Sequence, residues 1–312
     1  MKLVKMTLAA LAGFLIYAVI LQRPVAMAMI SKAWGGDQPC PWSAIARFPW
    51  ATEEFSGIQA NVEKQLTIER EDPALKIQLI RTSGRSFWIK EQGEDRSGKS
   101  TLAYVIAEQT WIASYAPNDT VQPGNVVVDV GAHIGTFDDY ALRRGASKVI
   151  LIEPDPVNVE CIRRNFPKEI AEGRLIVVPE GAWSSRSTLE FSTGVGNSGT
   201  GSFVIHETGS KTISVPVRPL DDILAELGVG KIDYIKMDIE GAEREALKGA
   251  KETLRRWKPV IMLDSYHLSD DDVVLPRLIR EANPEYRSSC HLCSPDRMGS
   301  KSRFVPYAVF YH

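Results

Sequence analysis

The 312-residue chain has little cysteine and no excess of charge of either sign. Four cysteines are too few for a small disulfide-stapled scaffold. The 37 Lys and Arg residues nearly balance the 39 Asp and Glu residues, whereas a protein that binds nucleic acid through its phosphates usually has a basic excess. With 44% apolar and 24% charged residues, the chain is neither disordered nor collagen-like. We therefore expect a globular protein that does not bind nucleic acid.

Long apolar runs are also scarce, apart from one near the start. Thr7–Leu21 has no charged residue and is followed by Arg23. Fifteen helical residues span about 22 Å, less than the hydrocarbon core of a bilayer at about 30 Å. Three interpretations are open: a short anchor extended by Val25–Ile30, a signal peptide cleaved near Ala28, or a buried helix. We favour a single-pass membrane anchor within residues 1–30.

Beyond residue 124, short runs of buried-type residues alternate with amphipathic stretches. Such runs, rich in Val and Ile, are typical of parallel strands covered on both faces. We predict strands at Asn125–Val130, Lys148–Glu153, Arg174–Pro179, Ile232–Asp238, Pro259–Asp264 and Phe304–Tyr311. We predict helices at Ala242–Trp257 and Ser269–Asn283, and additional antiparallel strands at Thr188–Ser192, Phe203–His206 and Lys211–Val217. The alternation predicts a doubly wound α/β sheet.

The segment before this domain is less regular. Residues 31–56 contain several Pro, Gly and Trp residues and are predicted to be an irregular linker. Residues 57–123 include a strand near Phe87–Lys90 and a helix near Leu102–Tyr115, and we interpret them as an N-terminal extension of the catalytic domain. The domain itself would then occupy residues 124–312.

A glycine-containing motif follows the first strand of the predicted sheet. It runs from Asp129 through Gly131 to Gly135, where glycines allow a sharp turn close to a ligand. Glu153 ends the next strand, and a carboxylate there could accept hydrogen bonds from both hydroxyls of a ribose. The alternative is that Glu153 only stabilises the start of the following helix. Motif and spacing together favour a ligand that contains a ribose.

Four segments resemble the FkbM-type methyltransferases, which use S-adenosylmethionine (SAM). They read VVVDVGAHIGTF, VILIEPDP, VRPLDDIL and IDYIKMDIEGAEREALKGA, and the last is the most specific. The resemblance implies a Rossmann-like seven-stranded sheet whose last strand is antiparallel. It also implies methylation of a hydroxyl on a sugar, lipid-linked or natural-product acceptor. One departure is His133, where Asn is commoner in the family; both residue types tolerate positive φ.

The resemblance also implies roles for individual residues. It places Asp129, Gly131, Ala132, His133 and Gly135 along the methionine and ribose of SAM, Glu153 on the ribose, and Glu180, Gly181 and Ala182 at the adenine. Asp238 would face the amino-acid end of SAM or the acceptor. Because a hydroxyl acceptor loses a proton, we expect a general base, with His267 as first candidate and Asp238 as its rival. No pattern in the sequence requires a metal ion.

Two other functions compete with this prediction. Gly93–Ser100 matches the Walker A pattern of a P-loop transferase, but the residues before it do not form a buried strand. An exported binding module without catalytic activity would need neither the glycine motif nor Glu153. Cys290 and Cys293 form a single C-x-x-C, half of a zinc site, which we interpret as ordinary thiols because residues three apart in a strand point to opposite faces. A need for SAM favours a domain that faces the cytosol.

Overall fold

The computed structural model describes residues 24–37, 39–91, 98–194, 198–206, 208–296 and 303–312. The chain begins with helices α1 (Pro24–Ala33) and α2 (Trp42–Gln65). A three-stranded antiparallel sheet follows, made of β1 (Thr67–Asp72), β2 (Ile77–Arg81) and β3 (Ser86–Lys90), and then helix α3 (Lys99–Tyr115). Residues 31–56 are therefore not an irregular linker: residues 42–56 belong to the 24-residue α2, in which Ala44, Ile45 and Ala51 are buried.

The central sheet has seven strands and confirms the predicted fold class. Its parallel strands are β4 (Val126–Val130), β5 (Lys148–Ile152), β6 (Leu175–Val178), β10 (Tyr234–Met237) and β11 (Val260–Asp264). Strand β13 (Phe304–Tyr311) runs antiparallel to β11, and β12 (Ser288–Pro295) runs antiparallel to β13. The order across the sheet is β12, β13, β11, β10, β4, β5, β6. The order reverses between β4 and β10, where a ligand site is expected.

Helices cover both faces of this sheet. They are α4 (Thr136–Arg143), α5 (Pro156–Asn165), α6 (Pro167–Ala171), α7 (Leu220–Glu226), α8 (Glu243–Lys248), α9 (Lys251–Trp257) and α10 (Asp271–Ala282). The predicted helix Ala242–Trp257 is divided into α8 and α9 at Gly249. A side chain at Gly249 would overlap the carbonyl oxygen of Trp183. The glycine at the break therefore lets the segment that contains Trp183 pack closely against it.

A second small sheet stands beside the carboxyl ends of the central strands. It contains β7 (Gly181–Ala182), β8 (Ser187–Ser192) and β9 (Thr212–Arg218). The strand predicted at Phe203–His206 does not form; Ser202 makes only an isolated bridge to Ser192. The polypeptide around Ser202 instead folds over the edge of the central sheet.

The predicted membrane anchor needs correction. Within the residues that the structure describes, none of the helices has the length and apolar character needed to cross a bilayer. Val25–Ile30, the proposed extension of the anchor, lies in the ten-residue α1, where Ala28 is fully buried against Cys40 and Ile45. The proposed cleavage near Ala28 would cut this packed helix. The apolar run Thr7–Leu21 lies outside the described residues.

Candidate functional site

A cleft lies at the carboxyl ends of β4, β5 and β10. Its floor is the segment after each strand, and its outer wall comes from the small sheet and the segment around Ser202. The lining residues include Gly131, His133, Glu153, Asn158, Gly181, Ala182, Phe191, Ser198, Phe203 and Asp238. The cleft thus occupies the position where the strand order reverses, as the sequence predicted.

Gly131 brings the ends of β4 and β10 into direct contact. Its φ is +83°, and a Cβ at this position would overlap the carbonyl oxygen of Asp238. His133 also has a positive φ of +54°, which fits the tolerance of His for this region. Gly135, with φ of +88°, begins helix α4, where a side chain would overlap the ring of Phe166. The loop therefore turns tightly and exposes its backbone to the cleft.

Glu153 places a buried carboxyl group on the wall of the cleft. One carboxylate oxygen accepts a hydrogen bond from the backbone N–H of His133 at 2.8 Å, and the other accepts one from the backbone N–H of Asp155 at 2.9 Å. Only 4% of the residue is exposed. Burial, together with the nearby Asp155 carboxylate, raises the pKa of Glu153 to about 8. The carboxyl group is thus fixed in position and takes up a proton near neutral pH.

Two polar atoms of the cleft wall are buried without a hydrogen-bond partner. The His133 side chain approaches the Ser198 hydroxyl through Nε2 at 2.5 Å, and its Nδ1 has no partner. Asn158 donates through Nδ2 to the Ser198 carbonyl at 3.2 Å, and its Oδ1 has no partner. Burial, with Lys90 and Lys236 nearby, lowers the pKa of His133 to about 3, so the imidazole is neutral. Unsatisfied buried groups of this kind are costly unless a ligand completes them.

Four predicted cofactor residues do not line the cleft. Asp129 is fully buried behind the loop, 3.3 Å from the Nζ atom of Lys236. Ala132 and Gly135 are buried on the far side of the same loop. Glu180 points away and forms an ion pair with Arg218. The structure gives these residues a place in the support of the cleft, and Gly131, His133, Glu153, Gly181 and Ala182 a place on its wall.

Several residues of the wall were not predicted from the sequence. Asn158 lies in the first turn of α5, whose N-terminus is capped by Asp155; its place in a helix that begins just after β5 and Glu153 could have indicated it. Phe191 and Phe203, whose ring centroids are 4.9 Å apart, close the outer side. No local pattern marks them, because they meet only through the fold of the small sheet. Ser198 belongs to a Gly- and Ser-rich stretch of the sequence and also lines the cleft.

A carboxylate cluster, made of Asp238, Glu240, Glu243 and His267, adjoins the cleft. The imidazole of His267 lies 3.0 Å from Glu243 through Nδ1, and through Nε2 3.7 Å from Asp238 and 3.5 Å from Glu240. Burial alone would lower the pKa of His267, but these three carboxylates raise it well above its usual value. The predicted general base is thus brought to Asp238, but as a cation rather than as a proton acceptor.

Further residues extend this charged region away from the cleft. Tyr104 and Glu108 of α3 meet Tyr307 of β13: the Tyr104 hydroxyl lies 3.1 Å from the Glu108 carboxylate and 2.8 Å from the Tyr307 hydroxyl. We call these three residues the tyrosine wall. Burial and the charge of Asp238 raise the pKa of Glu108 to about 7. None of the three was predicted from the sequence as a site residue.

Ligand atoms of Asp238, Glu240 and His267 lie within 4.8 Å of one another. Imidazole and carboxylate groups are common metal ligands, so these residues could hold a metal ion. The ion pairs described above already explain why the three groups lie together, and we assign no metal. Of the Walker A match, Lys99 and Ser100 begin α3 and Gly98 precedes it, while residues 93–97 lie outside the described part of the chain. The strand before it, β3, belongs to the antiparallel sheet.

One protein family is found both by comparison with family models and by comparison with individual proteins. The family model of the methyltransferase FkbM domain matches residues 129–287. The chain is 29% identical to the 31-O-demethyl-FK506 methyltransferase FkbM of Streptomyces tacrolimicus over 42% of its own length and 62% of the relative. It is 30% identical to the 2-O-methyltransferase NoeI of Sinorhizobium fredii over 43% of its own length and 61% of the relative.

Among solved structures, the chain is similar to a crystal structure of the methyltransferase FkbM from Methylobacillus flagellatus. The two share 19% identity with a TM-score of 0.44, and the match covers 89% of this chain and 62% of that one. The chain spans 60% to 65% of the length of the curated relatives it matches.

Proposed function

We propose that this chain, which belongs to the FkbM methyltransferase family, binds SAM in the cleft and transfers its methyl group to a hydroxyl oxygen of a small-molecule acceptor. The observation that carries the proposal is Glu153, a buried carboxylate fixed by two backbone N–H groups at the rim of a glycine-lined cleft. A ribose offers two hydroxyl donors to such a group.

The residues of the cleft fit the parts of SAM. Gly131 and its neighbours would take the methionine portion, Glu153 the ribose, and Gly181 and Ala182 the edge of the adenine. His133 and Asn158 line the same space, but their unpartnered Nδ1 and Oδ1 atoms are buried in its wall, so a small movement of the two side chains would be needed for polar atoms of the ligand to complete their hydrogen bonds. The absence of a side chain at Gly131 lets the backbone approach closely.

The sulfonium of bound SAM supplies an activated methyl group. The protein then has to align the acceptor oxygen with that methyl group and receive the proton of the hydroxyl. Asp238 lines the cleft with a side chain that is 32% exposed, and it lies 3.7 Å from His267. We propose that Asp238 accepts the proton and that the His267 imidazolium stabilises its charge. His267 would then be a positioning residue and not the base.

The acceptor is proposed to be a hydroxyl on a sugar or natural product. The names of two relatives, 31-O-demethyl-FK506 methyltransferase and 2-O-methyltransferase, both refer to methylation on oxygen. A hexuronic acid methyltransferase of Haloferax volcanii is 28% identical over 53% of this chain. These names support oxygen as the target atom and leave a choice among acceptors.

Calorimetric titration of the full chain with SAM tests the proposal. We expect Glu153→Gln to weaken binding by about ten- to a hundredfold, since a charge-assisted hydrogen bond contributes about 1.5–3 kcal/mol. The control is Glu180→Gln. The family resemblance implies a place for Glu180 near the adenine, but its carboxylate forms an ion pair with Arg218. The Glu180→Gln variant should therefore bind SAM with the affinity of the wild type.

The pH dependence gives the same experiment a second readout. With a pKa of about 8, Glu153 must release a proton before it can accept both ribose hydroxyls. The affinity of the wild type should therefore rise by up to about tenfold per pH unit below pH 8 and level off above it, whereas Glu153→Gln should not show this rise. If the wild type binds no SAM, the proposed function is wrong; if both variants bind equally well, the role of Glu153 is wrong.

A further inference from the structure

Three of the four cysteines lie together at the edge of the central sheet, away from the cleft. Cys40, just before α2, forms a disulfide with Cys293 of β12, 253 residues later in the chain. Cys290 carries a free thiol, and its Sγ lies 3.5 Å from the Sγ of Cys293. All three sulfur atoms lie within 4.8 Å of one another. We call these residues the sulfur cluster; the expectation of an ordinary thiol is wrong for Cys293, which is bridged.

The irregular shape of β12 explains how the cluster forms. In a regular strand, residues three apart point to opposite faces. The pairing of β12 with β13 shifts its register twice, between Cys290 and Leu292 and between Leu292 and Cys293. Such an irregularity inserts an unpaired residue and re-aims the side chains around it. Cys290 and Cys293 therefore point to the same side, where Cys40 meets them.

The disulfide is sheltered from outside reagents but not from Cys290. Cys40 is fully buried and Cys293 is 4% exposed, packed among Ala28, Ile45 and Phe304. An external thiol would have to displace this packing, whereas the sulfur of Cys290 is already next to Cys293. Exchange requires access to a disulfide sulfur, and the sulfur of Cys290, 3.5 Å from that of Cys293, has this access. The three sulfur atoms lie too close together to form a straight line, so the Cys290 side chain has to turn before it can attack along the S–S bond.

We propose that the disulfide has two isomers, Cys40–Cys293 and Cys290–Cys293, which interconvert by thiol–disulfide exchange within the sulfur cluster. The Cys290 thiol loses its proton and its thiolate attacks the Sγ of Cys293. A bond forms between Cys290 and Cys293, the bond between Cys293 and Cys40 breaks, and Cys40 leaves as a thiolate that takes up the proton. The number of disulfides stays the same, and no oxidant or reductant is consumed.

The two isomers differ in what they hold together. The Cys40–Cys293 bridge ties the N-terminal helices to the sheet edge, while the Cys290–Cys293 bridge closes only a short turn of β12. Without the long bridge, α2 is held by the packing of Ala51, Phe55 and Ile58 against Trp111 and Tyr307. Since Tyr307 belongs to the tyrosine wall, the exchange would change how firmly the N-terminal helices support that wall.

The exchange can be followed directly in the full-length protein. Native protein is incubated without added thiol at pH 7, 8 and 9, quenched and denatured in acid, alkylated, digested and analysed by mass spectrometry. We expect alkylated Cys40 to appear together with a Cys290–Cys293 linked peptide. Burial raises the pKa of Cys290 to about 12, so the thiolate fraction and the rate should grow by about tenfold per pH unit. The alkylation of Cys161, a buried thiol outside the cluster, serves as an internal standard.

Two variants separate the proposal from a merely structural bridge. In Cys290→Ser, Cys40 should stay bridged at every pH. In Cys40→Ser, mild oxidation of the folded protein should form the Cys290–Cys293 bond. The proposal is overturned if Cys40 of the wild type remains bridged at pH 9 as completely as in Cys290→Ser, or if Cys40→Ser keeps both thiols free under oxidation. Neither outcome depends on whether the cleft binds SAM.

Discussion

The cofactor cleft and the carboxylate cluster are adjacent but are built on different principles. The cleft relies on backbone: Gly131 exposes the chain at a positive φ, and Glu153 is fixed by two backbone N–H groups. The cluster relies on charge: His267 lies among three carboxylates, one of which, Glu243, is fully buried. A site built from closely packed backbone tolerates almost no added atom, whereas a network of charged groups can respond to a change by gaining or releasing protons.

The cleft should therefore fail when a single methyl group is added. In Gly131→Ala, the Cβ would overlap the carbonyl oxygen of Asp238 and approach the Ile239 side chain to 2.8 Å, so the ends of β4 and β10 would have to separate. We expect a loss of about 4 kcal/mol in the free energy of unfolding and a loss of SAM affinity of at least about a hundredfold, measured by urea denaturation and calorimetry.

The matched control is Gly124→Ala. Gly124 has a similar φ of +86° but has no atom within 4 Å of the position its Cβ would take. Alanine there should cost only about 1–2 kcal/mol, the strain of the left-handed region, and should leave SAM binding unchanged. Equal losses for the two variants would contradict the argument from close backbone approach.

The same contrast explains what the sequence could predict. The strands β4, β5 and β11 are short runs of Val, Ile and Leu, a local signal that survives in the structure to within one or two residues. The wall residues Gly131 and Glu153 follow those strands directly, so the topology alone brings them together. Predictions failed where a distant contact decides the local structure, as at Gly249, which breaks a helix to make room for Trp183.

The charged region and the sulfur cluster depend on such distant contacts throughout. Glu108 and Tyr307 meet across 199 residues of sequence, and nothing near either residue marks the encounter. The pairing of Cys40 with Cys293 follows from the irregular register of β12, and sequence periodicity assumes a regular strand. His267 was found because it follows a strand, but its protonation depends on Glu243, whose position only the fold reveals.

Removal of the cation from the carboxylate cluster should have the next largest effect. In His267→Gln, the buried Glu243 loses its charged partner, and we expect a loss of about 3 kcal/mol in the free energy of unfolding. The pKa of His267 is raised in the folded state, so its contribution is complete below about pH 6.5, the value in the unfolded chain. The contribution is lost as the pH rises through the folded pKa. The difference from wild type should therefore shrink in alkaline solution, as urea denaturation at several pH values would show.

His312→Gln is the control for this prediction. His312 also pairs with a carboxylate, that of Asp119 at 3.3 Å, but its side chain is 39% exposed. It lies near the amino end of β11, whereas His267 follows the carboxyl end of that strand. An exposed pair contributes about 1 kcal/mol or less. A deficit for His267→Gln that stays constant across the pH range would show that packing, and not charge, holds the cluster together.

The smallest effect is expected at the tyrosine wall, and its sign is reversed. The pKa of Glu108 is raised to about 7 in the folded protein from 4.5, so the unfolded chain releases this proton first as the pH rises. The titration of Glu108 thus lowers the free energy of unfolding of the wild type between about pH 4.5 and 7, and Glu108→Gln lacks this titration. Relative to wild type, we expect the variant to gain about 1–3 kcal/mol from pH 5 to pH 8. In Glu54→Gln, where an exposed carboxylate accepts a hydrogen bond from Tyr115 at 2.6 Å, no gain should occur. If Glu108→Gln also shows no gain in stability, the hydroxyls of Tyr104 and Tyr307 already stabilise an ionised Glu108. The contrast between a rigid cleft and a neighbouring network that changes its protonation would then hold only for the carboxylate cluster around His267.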